Sequence, residues 1–349
     1  MIKPYEFRGN AYRNQVDLAA WTNQRTEEAL EADLPIIDAH HHVWDDERGR
    51  YLIEEFAADL DSGHNIRATL FVEAGAMYRA YGDEPMKTVG EVEFVNGVAA
   101  MGANGRYGPT RICAGIVGHA DLTQGEKVRP VLETLIAAGH GRFRGIRHGV
   151  TWDTGNAAKF GKRQAPQHEL LDPVFRKGFA CLEPLGLTFE AWQFHPQLPD
   201  LVDLLGAFPN TPVILNHVGG LLGIPPHEGN RKEVFDVWRR HIKTLAQFPN
   251  LSVKLGGLGM LYCGWDFHLR EMPPSSEELA SIWRPYIETC IEEFGTERCM
   301  MESNFPVDKQ SCGYGVLWNA MKRITLNFSA AEKSDLYFNN AQRVYRISC

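Results

Sequence analysis

The feature that most constrains the fold is a regular alternation of strand-like and helix-like segments along the chain. Eight stretches are rich in β-branched and other apolar residues, with segments of helical periodicity between them. Strands that alternate with helices form βαβ units and a parallel sheet. The strand-like stretches cover residues 36–42, 66–75, 111–120, 143–151, 187–195, 211–220, 251–260 and 298–308.

Eight such units predict an α/β fold, a closed (β/α)8 TIM barrel, rather than an open doubly wound sheet. The first strand is not followed by the glycine fingerprint of a doubly wound fold. A chain of 349 residues has a suitable length for one such barrel, and no linker-like stretch divides it. We therefore predict an N-terminal extension over residues 1–34, with a short acidic helix over Gln24–Ala32, and one barrel over residues 35–349.

Composition excludes several classes of function. The net charge of −8 and the pI near 5.9 argue against nucleic-acid or membrane-surface binding, which requires a clustered basic face. Charge or glycine interrupts the apolar runs before they reach a membrane-spanning length, and the first 14 residues contain no apolar signal core. Seven cysteines without CxxC spacing indicate reduced thiols. These features predict a cytoplasmic protein.

Three consecutive histidines follow Asp38 and Ala39 in the first strand. Strand alternation is expected to place Asp38, His40 and His42 on one face of the strand. Two imidazoles two residues apart on one face can bind one metal ion or one substrate oxygen. The alternative is a histidine pair that is hydrogen-bonded within the core.

Polar residues stand at the C-terminal end of all eight predicted strands. In a barrel these ends form the active-site mouth, so the side chains are expected to converge there. They are His40 and His42, Glu73, His119, Arg147 and His148, Gln193 and His195, Asn216 and His217, Lys254, and Glu302 and Asn304, with Asp308 beyond them.

Four elements occur in strand order: His40-x-His42, His195-Pro196, the run LNHVG over residues 215–219, and SNFP over residues 303–306. With them the chain resembles the amidohydrolase superfamily over residues 35–345, and in particular the amidohydrolase-2 branch. That branch includes sugar-acid lactonases, 2-pyrone-4,6-dicarboxylate lactonase and related decarboxylases. The resemblance implies that His40, His42 and His195 hold one divalent metal ion, zinc being expected. It also implies that His217 contacts the hydrolytic water or polarises the substrate carbonyl.

The chain departs from the family pattern on the eighth strand, where the usual aspartate, a metal ligand and general base, is replaced by Asn304. An amide cannot accept a proton from water at neutral pH. Glu302 and Asp308 both remain candidates for the base, with Glu302 preferred. The alternative role for Glu302 is a buried ion pair with Lys254 or Arg147. Because no lysine ends the fourth strand, a two-metal site bridged by a carboxylated lysine is not expected.

Several further residues are predicted to bind the substrate. Arg147 and Lys254 are suited to a carboxylate group, with salt bridges to Glu73, Glu190 or Glu302 as the alternative. Trp44 and Trp192 lie near strand ends and are placed to stack on a ring, although core packing is the commoner role of tryptophan. The loop Tyr262–Glu271 is placed to cover the mouth, and packing or subunit contacts are the alternative role of its aromatic side chains. The substrate-binding set is Arg147, His148, Lys254, Glu73, Trp44 and Gln193, and the catalytic set is His217, Glu302, Asn304 and Asp308.

The resulting hypothesis is a hydrolase that opens a lactone or a related small cyclic carbonyl compound carrying a carboxylate. A decarboxylase of the same superfamily is the first alternative. The second is a non-enzymatic binding protein, a barrel that retains the ligand pocket but lacks the catalytic base. No nucleic acid or membrane partner is expected. A homo-oligomer is compatible with the resemblance, because superfamily barrels commonly self-associate.

Overall fold

The computed structural model describes residues 12–155, 157 and 163–348, so the first part of the predicted extension lies outside the described residues. Within them, eight parallel strands form one sheet in which every strand pairs with the next one along the chain. The strands are β1 Ile36–His41, β2 Ile66–Val72, β3 Arg111–Gly118, β4 Phe143–Arg147, β5 Thr188–Ala191, β6 Val213–Leu215, β7 Leu251–Leu255 and β8 Cys299–Met301.

Helices connect the strands and cover the outside of the sheet. In this part of the chain, α1 precedes β1, one of α2–α9 follows each strand, and α10 includes a π-helical segment over Asp335–Asn339. A small hairpin, Trp44–Asp46 with Gly49–Tyr51, follows β1. The helices are α1 Gln15–Thr22, α2 Ile53–Leu60, α3 Val89–Gly102, α4 Arg129–Ala138, α5 Pro173–Phe179, α6 Leu198–Ala207, α7 Arg231–Leu245, α8 Ser276–Phe294, α9 Tyr314–Ile324 and α10 Ala330–Val344.

The sheet closes where the segment after β8 meets the end of β1. The Asn304 N–H donates to the His40 carbonyl at 2.8 Å, and the His42 N–H donates to the Phe305 carbonyl at 2.7 Å. These bonds form a parallel bridge between His41 and Phe305. The predicted (β/α)8 barrel is therefore confirmed.

Apolar side chains form one layer between the barrel and its helices and a second cluster inside the lower barrel. The lower cluster includes Ile37, Val117 and Met300 from the strands and Tyr345 from the segment after α10. The C-terminal segment therefore closes the bottom of the barrel. The polar side chains lie above this cluster, toward the C-terminal ends of the strands.

Two local predictions were wrong. The register of β1 shifts between Asp38 and His41, and the Asp38 carboxylate accepts a hydrogen bond from Tyr314 on α9 at 2.9 Å. Asp38 thus points to the helix layer, while His40 points inward, because the irregular register interrupts the alternation.

The second wrong prediction is the helix over Gln24–Ala32, because the only helix in this part of the described chain is α1, Gln15–Thr22. The Asn319 amide on α9 donates to the Glu28 carbonyl at 2.8 Å, and the Lys322 ammonium donates to the carbonyls of Leu30 and Glu31 at 2.8 and 2.9 Å. Side chains of the barrel therefore satisfy backbone groups that a helix would have used itself.

In the described part of the chain, no helix combines the length and the apolar character that crossing a membrane requires.

Candidate active site

A cavity of about 370 Å³ opens at the C-terminal ends of the strands. Side chains from several strand ends and loops form its wall, as expected for the mouth of a barrel. Five residues of the predicted site line it: His42, Glu73, Arg147, His217 and Asn304.

The floor of the cavity carries a buried cluster of His40, His217 and Glu302. His217 Nδ1 is hydrogen-bonded to Glu302 Oε1 at 2.7 Å, and His40 Nδ1 lies 3.0 Å from Glu302 Oε2. All three side chains are almost completely shielded from solvent. When Glu302 is ionised, Nδ1 of His217 donates to it, and Nε2 is the ring nitrogen left to accept a proton from a group in the cavity.

Burial shifts the pKa values of the whole cluster. It raises the pKa of Glu302 to about 8, and it lowers the pKa values of His40 and His217 well below their usual range. For both histidines the positive charges of Lys254 and Arg147 lower the pKa further. The imidazoles are therefore neutral at pH 7, where Glu302 is largely protonated. The ionised form of Glu302, which predominates above about pH 8, is the form that can balance a proton taken up by His217.

The backbone at His217 is held in an unusual conformation. His217 and Val218 have φ values of +55° and +48°, and Gly219 and Gly220 follow with positive φ values. A non-glycine residue in this left-handed region costs about 1–3 kcal/mol, and such residues concentrate at functional sites. The imidazole of His217 packs edge-on against the Trp192 ring, with 5.0 Å between ring centroids. The turn after β6 therefore aims the imidazole at the cavity.

Asn304 joins the cavity to the segment after β8. Its Oδ1 lies 3.3 Å from His42 Nε2, and its Nδ2 donates to Asp308 Oδ1 at 2.7 Å. The Gly259 N–H donates to the other oxygen of Asp308 at 2.8 Å. Both oxygens of Asp308 thus serve as hydrogen-bond acceptors within the protein, and burial raises the pKa of Asp308 well above its usual range. Of the two candidate bases, only Glu302 contacts a histidine that lines the cavity.

The two predicted cations both have carboxylate partners. Arg147 donates to Glu73 Oε1 at 2.8 Å and to the Glu73 carbonyl at 2.6 Å. Lys254 is fully buried and lies 2.8 Å from Glu190, below His40. Arg147 reaches the cavity, whereas Lys254 belongs to the barrel interior.

His195 makes structural contacts instead of joining the cluster. Its Nδ1 accepts a hydrogen bond from the Leu222 N–H at 3.3 Å, and burial lowers its pKa to about 3. Its ring also packs at 5.0 Å against the ring of His227. These contacts fasten the loop after β6, and a His40–His42–His195 ligand set is not assembled.

Three other predicted residues are buried outside the cavity wall. His148 Nδ1 accepts a hydrogen bond from the Leu122 N–H at 3.1 Å. Trp44 packs beside His42, with 5.8 Å between ring centroids. Gln193 is 1% exposed, and its amide has no hydrogen-bond partner among the described residues.

Sequence reasoning missed several residues of the cavity wall because they lie on loops beyond the strand ends. They are Tyr78, Gly149, Thr151, Arg163, Met260 and Val307. The wall is completed by His119, Trp192 and Tyr262, which stand at the ends of the third and fifth strands and in the loop after the seventh. An aromatic residue shortly after a strand end was the available signal at Tyr78, six positions after β2, whereas no such signal marks Arg163.

His40, His217 and Glu302 form a possible metal-ligand set in the described chain, because their ligand atoms lie within 4.8 Å of one another. Two imidazoles and a carboxylate are a known donor set for catalytic zinc. However, Lys254 Nζ lies 3.5 Å from His40 Nδ1, and Arg147 Nη1 lies 3.3 Å from His40 Nε2. A divalent ion here would be bordered by two cations and would have one anionic ligand. The set fits a metal ion in donor type but poorly in electrostatics.

Comparison with known proteins identifies similar chains over nearly the whole length. A family model described as an amidohydrolase matches residues 37–347. A protein of Sinorhizobium fredii designated y4mH is 32% identical over 338 residues, which cover 90% of this chain and all of that protein. An L-fucono-1,5-lactonase of Burkholderia multivorans is 26% identical over 237 residues, covering 67% of this chain and 72% of the lactonase.

Among solved structures, an amidohydrolase from Burkholderia multivorans with bound zinc has the same fold. Its TM-score is 0.67 at 22% sequence identity, and the match covers 90% of this chain and 99% of that one.

Proposed function

Because the chain belongs to the amidohydrolase-2 family, we propose that it is a hydrolase that opens a lactone, a small cyclic ester, in the cavity at the mouth of the barrel. The similarity to an L-fucono-1,5-lactonase supports a lactone as the substrate class. The observation that carries the proposal is the buried pair of His217 and Glu302 at the cavity floor. A histidine oriented by a carboxylate is an arrangement suited to moving a proton to and from a reacting oxygen.

The first step is attack of water on the lactone carbonyl carbon. Nε2 of His217 accepts a proton from the water as its oxygen bonds to the carbon, and the carbonyl electrons move onto the oxygen. In its ionised form, Glu302 accepts a hydrogen bond from Nδ1 and so stabilises the imidazolium, and turnover should therefore rise as the pH approaches 8. Arg147 lines the cavity and is held by two hydrogen bonds to Glu73, so its charge is positioned to stabilise the oxyanion.

The second step is collapse of the tetrahedral intermediate. The carbonyl re-forms, the bond between the carbon and the ring oxygen breaks, and the departing oxygen takes the proton from His217. The product is a hydroxy acid, which ionises to a carboxylate. The same histidine thus acts first as base and then as acid, and it is neutral again at the end of the cycle.

The charges around the cavity favour a lactone without a carboxylate of its own. Arg147 is paired with Glu73, and Arg163 at the rim donates to Glu169 at 2.7 Å. A carboxylate substituent would have to compete with Glu169 at Arg163 and with the developing oxyanion at Arg147. The Trp192 ring on the cavity wall offers an apolar face for a sugar ring. We therefore place neutral sugar lactones ahead of lactones that carry carboxylates.

The proposal is tested with a panel containing a neutral aldonolactone, a carboxylated lactone and an aromatic carboxylic acid. Acid release from the lactones and CO2 release from the aromatic acid are measured against enzyme-free blanks. We expect acid release that is fastest with the neutral lactone, and turnover that survives treatment with a chelator. CO2 release without acid release would instead identify a decarboxylase, and binding without turnover would identify a non-catalytic barrel.

Two variants test the roles of the pair. His217→Asn removes the base, and because asparagine tolerates a positive φ it keeps the backbone, so kcat should fall about 10²–10⁴-fold. Glu302→Gln keeps an acceptor for Nδ1 but removes the negative charge that stabilises the imidazolium, so it should lower kcat about 10²-fold. The control is His140→Asn, at an exposed residue that also has a positive φ. Undiminished turnover of Glu302→Gln would remove Glu302 from the mechanism.

A further inference from the structure

Residues 12–34, hereafter the extension, lie outside the family match, yet they contact a loop of the barrel mouth. This loop follows β7, covers residues 256–275 and is called the β7 loop below. Arg13 donates to two of its carbonyl oxygens at 2.6 and 3.3 Å, Trp21 Nε1 donates to one at 3.0 Å, and Arg25 Nε donates to one at 2.8 Å. Arg13 donates to the carbonyls of His268 and Arg270. Trp21 also donates to the Arg270 carbonyl, and Arg25 donates to the Pro273 carbonyl.

The donors belong to one packed unit of the extension. The Arg13 guanidinium lies 4.3 Å from the centroid of the Trp21 ring, and Trp21 is 4% exposed. Asn14 caps α1 by accepting a hydrogen bond from the Asp17 N–H at 3.0 Å. The stacking of Arg13 on Trp21 and the Asn14 cap of α1 therefore hold Arg13 and Trp21 in place relative to each other through contacts within the extension.

The same unit is tied to the segment after β8. The Gln310 amide accepts hydrogen bonds from the backbone N–H groups of Tyr12 and Arg13 at 3.3 and 3.1 Å and donates to the Arg13 carbonyl at 3.2 Å. Next to Gln310, Ser311 Oγ donates to the carbonyl of Gly259 in the β7 loop at 2.6 Å. The extension and the β8 segment thus hold the β7 loop from two sides.

The β7 loop has little regular structure of its own. It contains two single turns of 3₁₀ helix, Leu261–Cys263 and Phe267–Leu269, and each is flanked by a residue with positive φ, Gly264 at +63° and Asp266 at +57°. It nevertheless supplies two side chains of the cavity wall, Met260 and Tyr262. Because short 3₁₀ turns are weak on their own, the position of these side chains depends on contacts from outside the loop.

We propose that the extension is a brace that holds the β7 loop, and with it Met260 and Tyr262, in position against the cavity. Its residues Arg13, Trp21 and Arg25 are positioning residues, because they touch loop carbonyls and lie outside the cavity wall. Losing the brace loosens the wall and weakens substrate binding, while the His217–Glu302 pair keeps its geometry.

Hydrogen exchange of the full chain tests the brace without any substrate. The reporters are the amides of Cys263, Gly264, Leu269 and Arg270, which donate to carbonyls within the two 3₁₀ turns. In Arg13→Ala/Arg25→Ala we expect these amides to exchange about tenfold faster, while amides of the barrel strands are unchanged. Trp21→Phe, which keeps the ring and removes the N–H donor, should produce a smaller effect in the same amides.

The matched control is Arg106→Ala/Arg111→Ala, which removes two exposed arginines at the opposite end of the barrel. Unchanged exchange in the β7 loop would overturn the brace. Faster exchange over the whole barrel, together with a lowered melting temperature, would overturn it as well, because the substitutions would then have lowered only the global stability of the protein. The kinetic readout rests on the proposed function: we expect KM for the lactone to rise about tenfold with kcat nearly unchanged. A chain without lactonase activity would refute the proposed function and leave the exchange result standing.

Discussion

At the scale of single residues, Asn304 stands where the family resemblance leads us to expect an aspartate. Its amide lies between His42 and Asp308 and gives Asp308 a neutral donor at 2.7 Å. An aspartate at this position would place a second buried carboxylate against Asp308, and the two could not both ionise without an added cation. With an amide at this position, the contacts among His42, Asn304 and Asp308 form without an added cation.

Asn304→Asp should destabilise the protein by about 2 kcal/mol at pH 7, because it places two buried carboxyl groups side by side and ionisation of either one disfavours ionisation of the other. The carboxylate also adds an anionic ligand beside His42, so zinc should raise the melting temperature of this variant. Thermal unfolding with and without zinc measures both effects.

The control for this prediction is Asn104→Asp, an equal change of charge at an exposed residue. Zinc should leave the control and the unmodified protein unchanged. Equal stabilisation of all three proteins by zinc would contradict the assignment and would indicate a metal site that does not need the aspartate.

At the scale of elements, the turn after β6 shows how one short segment places a reactive side chain. Four consecutive residues, from His217 to Gly220, have positive φ values. The turn is held from outside, because His195 accepts a hydrogen bond from the Leu222 N–H and Trp238 Nε1 donates to the Val218 carbonyl at 2.7 Å. His195 thus supports the turn that carries His217. This role explains why His195 is buried next to the site without contacting the His40, His217 and Glu302 cluster.

Gly220→Ala tests this support. The residue has φ of +69°, and a Cβ there would overlap the carbonyl oxygen of Gln193. We expect a loss of at least about 2 kcal/mol of unfolding free energy and a fall in kcat, because the overlap with a backbone atom moves the turn that carries His217.

The comparison is Gly206→Ala in α6, where a Cβ meets no atom within 4 Å. That variant should gain about 0.4–1 kcal/mol, since alanine restricts the unfolded chain. Denaturant unfolding of both variants gives the two free energies, and equal stability of the two would argue against a strained turn.

At the scale of the whole molecule, the buried His64 takes part in the contacts that join the extension to the barrel. His64 Nδ1 accepts a hydrogen bond from Lys322 on α9 at 2.9 Å, and His64 Nε2 donates to the Gly315 carbonyl at 3.1 Å. Lys322 in turn binds backbone carbonyls of the extension. Burial, with the charge of Lys322, lowers the pKa of His64 to about 4.

This shift predicts a loss of stability in acid. The folded chain binds the proton of His64 less tightly than the unfolded chain, whose histidine has a pKa near 6.5. The contribution of this pKa difference to the free energy of unfolding is fully present above about pH 6.5, and it is lost progressively as the pH falls toward 4.

His64→Gln keeps a hydrogen-bond donor and an acceptor and removes the titration. Between pH 7 and pH 5 the unmodified protein should therefore lose about 2 kcal/mol more unfolding free energy than the variant. Urea unfolding at the two pH values checks this prediction, and equal losses in both proteins would refute it.

The barrel and the approximate position of the site were predictable from the sequence. Strand and helix periods are local patterns, so the eight strands and the order of their polar ends could be recognised without tertiary information. The placement of His42, Glu73, Arg147, His217 and Asn304 around one cavity follows from that order, because parallel strands present their C-terminal ends on one side. The register shift in β1 and the missed helix α1 arose where contacts with α9 or irregular pairing replaced the local pattern.

By itself, then, the sequence determined the number and direction of the strands and the strand ends at which polar side chains stand. Only the tertiary structure decided how those side chains pair. The His217–Glu302 bond joins residues 85 positions apart, and the bonds from Arg13 to the β7 loop span 255 and 257 positions. Such pairings depend on distances of a few ångströms between loops, and no periodic pattern encodes them. The partners of His195 and the loop side chains of the cavity wall became visible for the same reason only in the folded chain.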